Sequence, residues 1–383
     1  MNLTSLTHRR VFAAAILACT VLWILKTYDS EYKISEDGLH LPSTGFQERS
    51  ISPCTDLSKD ELQTMLKSSA TPTPSCPSSS NKRILTPKKE LEKLCGWAIL
   101  PCGYSPSNAS MRYLLVTPRG RLGNQMFQLA SSLGIASQHG MAVCLSPKVP
   151  FLDYFKLRGA EKIKWTKTIT WLRVSERSWA SFDPCLLRVP HDNIHLSEYL
   201  QSYRYFHHIW ETVRQHFTFN DTILSEAREI LDSVWHKESY PRGETAVVGV
   251  HVRRNDMLFK HNKAWGHVVA TRAYFFKAMR WMIGSMPNKT VLFLVVSDDI
   301  AWCERFLSGS YVRVAPPASA SVHLALLASC DHVIMSTGTF GWWGAWMAGG
   351  KVVYYKNYPA ENSPLAKGFN RTDFFLPSWV ALD

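Results

Sequence analysis

Two adjacent arginines and an acid follow a buried hydrophobic run in the second half of the chain, in the sequence VGVHVRRND at 248–256. An arginine at a strand end can bind a diphosphate through paired hydrogen bonds, which makes Arg253 a candidate ligand for such a group. Alternate residues of a strand share a face, so His251 and Arg253 are expected to point the same way. Arg254 and Asp256 are then expected on the opposite face, where Asp256 either fixes Arg254 or acts as a base. The alternative is a salt bridge at the edge of a sheet.

A pair of carboxylates ends the next predicted strand, in the sequence SDD at 297–299. Asp298 could accept a hydrogen bond from a nucleotide base or from a ribose hydroxyl. The same acids could instead cap a helix over 300–306, because Asp is favoured at that position. The two roles are compatible, and the sequence leaves both open.

No charged residue occurs between residues 333 and 350, in the sequence VIMSTGTFGWWGAWMAGG. By length this stretch could cross a membrane. Its five glycines and its hydroxyl groups favour a tight turn from a strand into a helix, where an anion can bind. The three hydroxyl residues are Ser336, Thr337 and Thr339. The tryptophans at 342, 343 and 346 are predicted to belong to the core rather than to a sugar platform.

Motifs for several common chemistries are absent from the sequence. It has no Asp-x-Asp pair of the kind that holds a metal–nucleotide complex, no P-loop, no GxGxxG, no GxSxG and no HExxH. His191 and His195 are four residues apart, but they follow Pro190 and lack an acidic helper, which favours a loop over a metal site. A bound diphosphate would have to be neutralised by arginine and helix dipoles, so we expect no essential metal and no cofactor.

Strand and helix signals alternate along residues 111–145 and again from residue 245 onward, whereas the stretch 151–244 is rich in aromatic residues and shows no clear order. The strands are predicted at 113–117, 142–145, 246–252, 291–296, 311–314, 333–335 and 351–355. Helices are predicted between them, with Asn124 and Thr271 as candidate N-caps. This order is typical of an α/β protein with two Rossmann-like halves built on parallel sheets. Ligands bind at the carboxyl ends of such strands, and every polar motif described above falls at one of those ends.

An apolar run of 15 residues, Val11 to Leu25, lies between Arg9-Arg10 and Lys26. A helix of that length covers about 22 Å. The hydrocarbon core measures roughly 30 Å, and snorkelling basic ends can supply the rest. The basic residues before the run predict a type II signal anchor, with a cytoplasmic tail at 1–10, the transmembrane helix at 11–25 and a luminal stem at 26–110. A cleaved signal peptide is the alternative, but no small-x-small site precedes Lys26.

Four glycosylation triplets agree with a luminal location. They begin at Asn108, Asn220, Asn288 and Asn370. Eight of the nine cysteines lie outside the predicted span, an even number that is compatible with disulfides, although the sequence selects no pairing.

Four of these segments together resemble the galactoside α-1,2-fucosyltransferase family. They are VGVHVRRND (248–256), VVSDD (295–299), STGTFGWWG (336–344) with AGG (348–350), and GRLGNQMF (120–127). The resemblance implies a GT-B-like fold, GDP-fucose as donor, β-galactosides as acceptors, inversion at the anomeric carbon, metal independence and a single-pass type II topology in the Golgi membrane. It also implies that 111–244 is the acceptor-side half and that 245–383 binds GDP-fucose.

The resemblance assigns roles to individual residues. Arg253 matches the key diphosphate arginine of the family. The other matching positions are in the donor pocket (His251, Arg254, Asp298), in the phosphate-side turn (Ser336, Thr339, Phe340) and in the first-half motif (Gly123, Asn124). Asn255 departs from the pattern, because vertebrate members usually have Gly there.

Two alternative functions remain open from the sequence. One is a fucosyltransferase with another acceptor, such as a core glycan, an internal fucose or a protein hydroxyl. The other is a membrane-tethered glycan-binding protein with an inactive donor site. The formal charge of +12 suits an anionic nucleotide-sugar, and the anchor and glycosylation triplets argue against a nucleic-acid partner. The oligomeric state is open as well, with a homodimer among the options.

Overall fold

Two separate β-sheets organise the residues that the structure describes, which are 83–100, 111–188, 192–196, 198–234 and 243–383 of a computed structural model. All of them belong to one unit of the chain, Ser75–Asp383. The predicted tail and transmembrane helix lie outside the described residues, as do Asn108 and His191. Among the described residues, no helix is long and apolar enough to cross a membrane.

The first sheet is mixed, with the strand order β1-β6-β7-β3-β4-β2-β5. Its strands are β1 (Arg83–Thr86), β2 (Trp97–Ile99), β3 (Arg112–Val116), β4 (Met141–Leu145), β5 (Ala160–Lys162), β6 (Ile169–Val174) and β7 (Asn193–Leu196). The four central strands β6, β7, β3 and β4 run parallel, and the flanking strands β1, β2 and β5 pair antiparallel. The first half therefore has a parallel α/β centre with antiparallel edges.

The second sheet is entirely parallel, with the order β10-β9-β8-β11-β12-β13. Its strands are β8 (Thr245–Val252), β9 (Thr290–Ser297), β10 (Val312–Val314), β11 (His332–Met335), β12 (Val352–Tyr355) and β13 (Val380–Leu382). Continuous apolar runs such as TAVVGVHV are typical of parallel strands that are buried on both faces. Along β11, Val333 and Met335 pack into one hydrophobic cluster and Ile334 into another, which confirms that both faces are covered.

The described helices cover these sheets. In the first half they are α1 (Lys88–Leu94), α2 (Leu122–Ser137), α3 (Phe151–Tyr154), α4 (Trp210–His216) and α5 (Asp221–Val234). In the second half they are α6 (Lys260–Trp265), α7 (Arg272–Gly284), α8 (Ile300–Phe306), α9 (Ala320–Ala328), α10 (Thr339–Ala348), α11 (Pro364–Lys367) and α12 (Arg371–Phe374). Thr271 caps α7 as predicted, with its side chain accepting from the Tyr274 N–H. The two sheets and their helices form a GT-B-like α/β fold.

The uncharged stretch at 333–350 forms β11 and α10 inside the protein and is not a membrane span. Trp342 and Trp343 are fully buried, and Trp346 is nearly so, which confirms their assignment to the core. The indole of Trp342 donates to the carbonyl of Phe374, at 2.7 Å. A single hydrophobic cluster joins α2 of the first half to α10 of the second, so the two halves share part of their core.

Residues 83–99 extend the first sheet, although the sequence assigned them to the stem. β1 pairs with β6, β2 pairs with β4 and β5, and a disulfide joins Cys95 to Cys144. These strands have only three or four residues, which is too short for a clear alternating pattern. Among the described cysteines, Cys303 and Cys330 are buried free thiols.

The end of the chain returns to the first half. The carboxylate of Asp373 in α12 accepts from the Phe182 N–H at 2.9 Å and from the Arg204 guanidinium at 2.9 Å. Residues of the last segment are therefore part of both halves, and 245–383 is not a separate body.

Candidate active site

The register of three neighbouring strands brings the predicted site residues to one edge of the second sheet. Val252 of β8 lies opposite Ser297 of β9, and His251 lies opposite Met335 of β11. The residues that follow these three strand ends include Arg253, Asp298 and Ser336, which confirms the predicted convergence.

Ser336 ties two of the strand ends together. Its hydroxyl accepts from the Arg253 N–H at 3.0 Å and lies 3.2 Å from Nδ1 of His251. Both Ser336 and His251 are buried, and the Ser336 N–H donates to the His251 carbonyl. Burial, helped by the charge of Arg253, lowers the pKa of His251 to about 3. His251 is therefore neutral at physiological pH, and its ring packs at this edge of the second sheet without adding charge.

Arg253 and Asp256 form a two-point ion pair. The Arg253 guanidinium donates from Nε at 3.1 Å and from Nη2 at 2.7 Å to the two carboxylate oxygens of Asp256. Arg121, from the start of α2 in the first half, pairs with the same carboxylate. Burial alone would raise the pKa of Asp256, but the two guanidiniums outweigh it and lower that pKa to about 2.

The pairing of Asp256 differs from the prediction that it would fix Arg254. β8 ends at Val252, and a 3-10 turn begins at Asp256, so the alternation of a strand does not continue through 253–256. The turn places the acid three residues beyond Arg253, within reach of its guanidinium. With a pKa of about 2 and two cations beside it, Asp256 is a weak proton acceptor.

Arg254 is held by a different set of groups, which confirms that the two arginines do different jobs. Its Nε donates to Asp299 at 3.0 Å, and its guanidinium lies 4.0 Å from the ring centroid of Trp302. Asp299 also caps α8 by accepting from the Trp302 N–H. The helix-cap interpretation is therefore correct for Asp299.

Asp298 caps the turn between β8 and the 3-10 segment. Its carboxylate accepts from the backbone N–H groups of Arg254 at 2.8 Å and Asn255 at 3.2 Å. Burial raises the pKa of Asp298, although these two amides oppose the shift. The side chain of Asn255 donates to the Asp298 carbonyl, so the residue that departs from the family pattern reinforces this turn.

The start of α10 lies against Arg253. Gly338 has φ of +87°, and a methyl group there would lie 2.5 Å from Nη1 of Arg253. A glycine is therefore required for the guanidinium to approach the first turn of the helix. The N-terminal N–H groups of a helix carry partial positive charge and bind anions. Beside them, the Thr337 hydroxyl is fully buried and has no hydrogen-bond partner within the described part of the chain.

The first-half motif at 120–127 meets α10 directly. The hydroxyl of Thr339 donates to Oδ1 of Asn124 at 2.7 Å, and the Trp343 indole donates to the Gly123 carbonyl at 2.9 Å. A methyl group on Gly123 would lie 2.7 Å from the backbone nitrogen of Phe340. The expectation that Asn124 caps α2 is wrong, because the helix begins at Leu122 and Asn124 lies within its first turn.

The sequence reasoning did not single out Arg121 and His267, which lie beside the Arg253–Asp256 pair, or Glu176 in the first half of the chain. His267 stacks on Tyr358 with ring centroids 6.1 Å apart, and burial followed by the charge of Arg253 lowers the pKa of His267. Arg121 falls inside the GRLGNQMF segment at 120–127 but was not singled out as a site residue, and no motif signals His267.

Glu176 follows β6 at the carboxyl edge of the first sheet. Its Oε1 accepts from the backbone N–H groups of Tyr199 at 3.0 Å and Leu200 at 3.1 Å. Its Oε2 is buried and has no hydrogen-bond partner among the described residues. Burial raises the pKa of Glu176 to about 8. β6 was not predicted from the sequence, so no sequence signal marked Glu176.

The glycosylation triplets differ in accessibility. Asn288 is exposed, as is Asn370, whose Oδ1 accepts from the Thr372 N–H. The amide of Asn220 donates to the Asp153 carbonyl. No group of three or more His, Cys, Asp or Glu side chains that could hold a metal ion occurs in the described ranges. His195 instead lies 2.8 Å from the Thr117 hydroxyl, through its Nε2.

Comparison with known proteins identifies similar chains. Residues 97–383 match the family described as Glycosyl transferase family 11. The chain is 32% identical to human Galactoside alpha-(1,2)-fucosyltransferase 1 over 321 residues, which cover 80% of this chain and 86% of the relative. It is 33% identical to the rat protein of the same name over 276 residues, 70% of this chain and 72% of the relative.

Among solved structures, Arabidopsis thaliana FUT1 in complex with GDP aligns with 72% of this chain and 78% of its own. The identity is 11% and the TM-score is 0.43.

Proposed function

The chain belongs to glycosyl transferase family 11, and we propose that it transfers L-fucose from GDP-fucose to the 2-hydroxyl of a terminal β-galactoside on glycoproteins or glycolipids. The similarity to human Galactoside alpha-(1,2)-fucosyltransferase 1 supports this substrate pair. The observation that carries the proposal is Arg253, which Asp256 fixes beside the first turn of α10.

The donor diphosphate binds against both the Arg253 guanidinium and the N-terminal N–H groups of α10. As the C1–O bond to GDP breaks, negative charge grows on the departing diphosphate. A fixed guanidinium and the helix N–H groups stabilise that charge without having to reorganise, which is typically the largest catalytic term. Arg253 is the catalytic residue of this step, and Asp256 is a positioning residue that holds it.

The acceptor hydroxyl attacks C1 from the face opposite GDP, so the configuration at C1 inverts. One bond forms between C1 and the acceptor oxygen while the bond from C1 to the diphosphate oxygen breaks, and the hydroxyl proton leaves. Asp256 is poorly suited to take this proton, because its carboxylate is already paired with Arg253 and Arg121. The proton passes to water on the acceptor side of C1, because the departing diphosphate lies on the opposite face.

Transfer proceeds in our proposal without a metal ion. The guanidinium of Arg253 and the dipole of α10 supply the positive charge that a metal would otherwise bring to the diphosphate. Activity in EDTA tests this point directly, since a metal-dependent enzyme loses its activity there.

The test of the proposed function uses the full chain purified in detergent, with GDP-fucose and a terminal β-galactoside. We expect a fucosylated product whose NMR spectrum shows the α-1,2 linkage, at an unchanged rate in EDTA. A different linkage would move the proposal to another acceptor class. If no GDP is released and no glycan gives a fucosylated product, only a glycan-binding role remains and the proposal is overturned.

We propose a Golgi membrane location with the catalytic body in the lumen. The support is the apolar run at 11–25 with its basic flanks, together with the exposed Asn288 and Asn370. Digestion with an N-glycosidase should lower the apparent mass, and protease added to sealed microsomes should leave the body intact. Cleavage of the body in sealed microsomes would contradict this topology.

A further inference from the structure

Exposed apolar side chains are concentrated immediately after Asp256. The described part of the chain has six large hydrophobic residues that are exposed, and three of them are in this short segment: Leu258, Phe259 and Trp265. Trp265 is 45% exposed at the end of α6. A cluster of exposed apolar groups is typical of a binding surface, because leaving such groups in water is unfavourable.

The backbone that carries Trp265 is fixed to the candidate active site. The side chain of Asn262 donates to the carbonyl of Asp256 at 2.7 Å. Residues three apart share a face of a helix, so Trp265 lies on the same side of α6 as Asn262. The rise from one to the other is about 4.5 Å, which is close to the length of one sugar ring.

Gly266, which follows Trp265, is held in place by its neighbours. Gly266 has φ of +115°, and a methyl group there would lie 2.1 Å from the hydroxyl oxygen of Ser363. The Gly266 carbonyl accepts from the Ala360 N–H at 3.0 Å. The indole of Trp265 is therefore presented from a rigid support.

Trp265 also contacts the first half of the protein. Its ring centroid lies 5.7 Å from that of Trp179, which follows β6. The Trp179 carbonyl accepts from the Gln201 N–H, and the Gln201 side chain donates to Asn124 beside α10. Trp265 thus lies where the carboxyl edges of the two sheets meet.

We propose that the exposed face of Trp265 is the platform on which the acceptor galactoside stacks, which rests on the proposed function and names a residue for its second substrate. Galactose has an axial 4-hydroxyl, which leaves the C3–H, C4–H and C5–H bonds together on one face of the ring. That apolar face packs on an indole, while the hydroxyl groups at its edge remain free to reach polar groups. An aromatic ring suits this neutral ligand, as the paired arginine suits the anionic donor.

The decisive comparison is between Trp265→Ala and Trp210→Ala. Trp210 is 43% exposed on α4 of the first half, where it lies beside Arg214, and it is the matched control. We expect Trp265→Ala to raise the acceptor KM about tenfold at saturating GDP-fucose, with little change in kcat, since the lost contact is made equally in the ground and transition states. The Kd for GDP, measured by calorimetry, should stay at the wild-type value in both variants.

If thermal melting shows that Trp265→Ala does not fold, Trp265→Phe provides the same test. The smaller ring retains part of the platform, so the acceptor KM should rise by a smaller factor, about threefold. A wild-type KM in a folded Trp265 variant, or an equal rise in Trp210→Ala, would overturn the proposal. A loss of GDP affinity equal to the loss of acceptor affinity would also overturn it, because the residue would then support the donor site.

Binding measurements separate this inference from the proposed function. Saturation-transfer NMR with methyl β-galactoside should give a signal with the wild-type protein and a reduced signal with Trp265→Ala. If the protein binds the galactoside through Trp265 but transfers no fucose, the proposed function is overturned and the platform stands. If the protein transfers fucose and the galactoside signal of Trp265→Ala equals that of the wild type, the platform is overturned and the proposed function stands.

Discussion

The carboxyl edges of the two sheets are built from different chemistry. At the edge of the second sheet, formal charges face one another in the pairs Arg253–Asp256 and Arg254–Asp299. At the edge of the first sheet, Glu176 is held by backbone amides, and burial raises its pKa to about 8. The first edge therefore holds a carboxyl that is largely protonated at neutral pH, whereas the second has fixed charges.

This difference matches the two substrates that we propose. Fixed, paired charges keep a guanidinium in place before an anionic donor arrives, so little reorganisation is needed when charge develops. A neutral glycan gains nothing from a fixed charge and loses affinity to any polar group left unpaired. We therefore expect substitutions at the second edge to act through charge, and those at the first edge to act through protonation and packing.

The largest expected effect comes from Arg253→Ala. Removal of the guanidinium takes away the group that faces the departing diphosphate, so we expect kcat to fall by about 10²–10³-fold. Arg253→Lys should lose less, because it keeps the charge but not the two-point geometry. Steady-state kinetics with GDP-fucose measures both variants.

Arg305→Ala is the control for a general effect of charge. Arg305 is an exposed arginine on α8 whose guanidinium lies beside the ring of Phe306. Its removal changes the net charge by the same amount and should leave kcat unchanged. Equal rates for the Arg253 and Arg305 variants would mean that the paired arginine at the second edge has no catalytic role.

Asp256→Asn separates positioning from base catalysis. The amide keeps the shape of the side chain but no longer neutralises Arg253 and Arg121, so we expect kcat to fall about tenfold, less than for Arg253→Ala. The pKa of Asp256 is about 2, so the group is ionised at every pH near neutral. The acid limb of the pH–rate profile between pH 5 and 7 should therefore be the same in the variant. A limb that disappears would identify Asp256 as the base.

The same substitution has a defined effect on stability. The folded pKa of Asp256 is below its ordinary value of 3.8, so its ion pairs stabilise the fold above pH 3.8, and the gain is lost as the pH falls toward 2. Urea unfolding should show a difference between wild type and Asp256→Asn at pH 7 that shrinks as the pH falls from 3.8 toward 2. A constant difference across this range would contradict the pKa shift.

Glu176→Gln tests the first edge. The folded pKa of Glu176 is above its ordinary value, so the stabilisation of the protonated carboxyl is complete below pH 4.5 and is lost as the pH rises toward 8. Between pH 5 and 8 the wild type should lose unfolding free energy, by up to about 1.4 kcal/mol per pH unit, relative to the neutral variant. Urea titrations at three pH values measure this slope.

Glu226→Gln provides the matched control for Glu176→Gln, because Glu226 is exposed on α5. It should leave the pH dependence of stability at the wild-type value. If Glu176→Gln also leaves it unchanged, the first edge carries an ordinary ionised carboxylate and the contrast between the two edges disappears.

The strands and strand ends of the second sheet were predictable from sequence, and most of the contacts between side chains were not. Buried runs marked β8, β9 and β11 to within about one residue, because parallel strands covered on both faces are continuously apolar. The polar residues after those runs therefore identified the edge. The partner of Asp256 depends on a 3-10 turn that no local pattern signalled.

The first edge was harder to predict for a related reason. Arg121 is 135 residues from Asp256 in sequence, and Trp179 is far from Trp265, so both contacts exist only because the two halves pack together. Glu176 is held by the backbone of 199–200, and backbone partners leave no trace in side-chain motifs. The short strands β1 and β2 were missed because three or four residues cannot establish a period.

The smallest expected effect is that of Asn255→Gly, and it tests whether the charged pairs alone fix the second edge. The Asn255 side chain donates to the Asp298 carbonyl, but the residue is exposed and its φ of −48° requires no glycine. The two backbone N–H groups that Asp298 accepts remain in the variant, so the turn loses only one solvent-exposed hydrogen bond. We expect kcat within about twofold of wild type and a loss of unfolding free energy of no more than about 1 kcal/mol. A loss of activity as large as that of Asp256→Asn would show that an uncharged hydrogen bond governs this edge as much as its ion pairs do, and the contrast with the first edge would then fail.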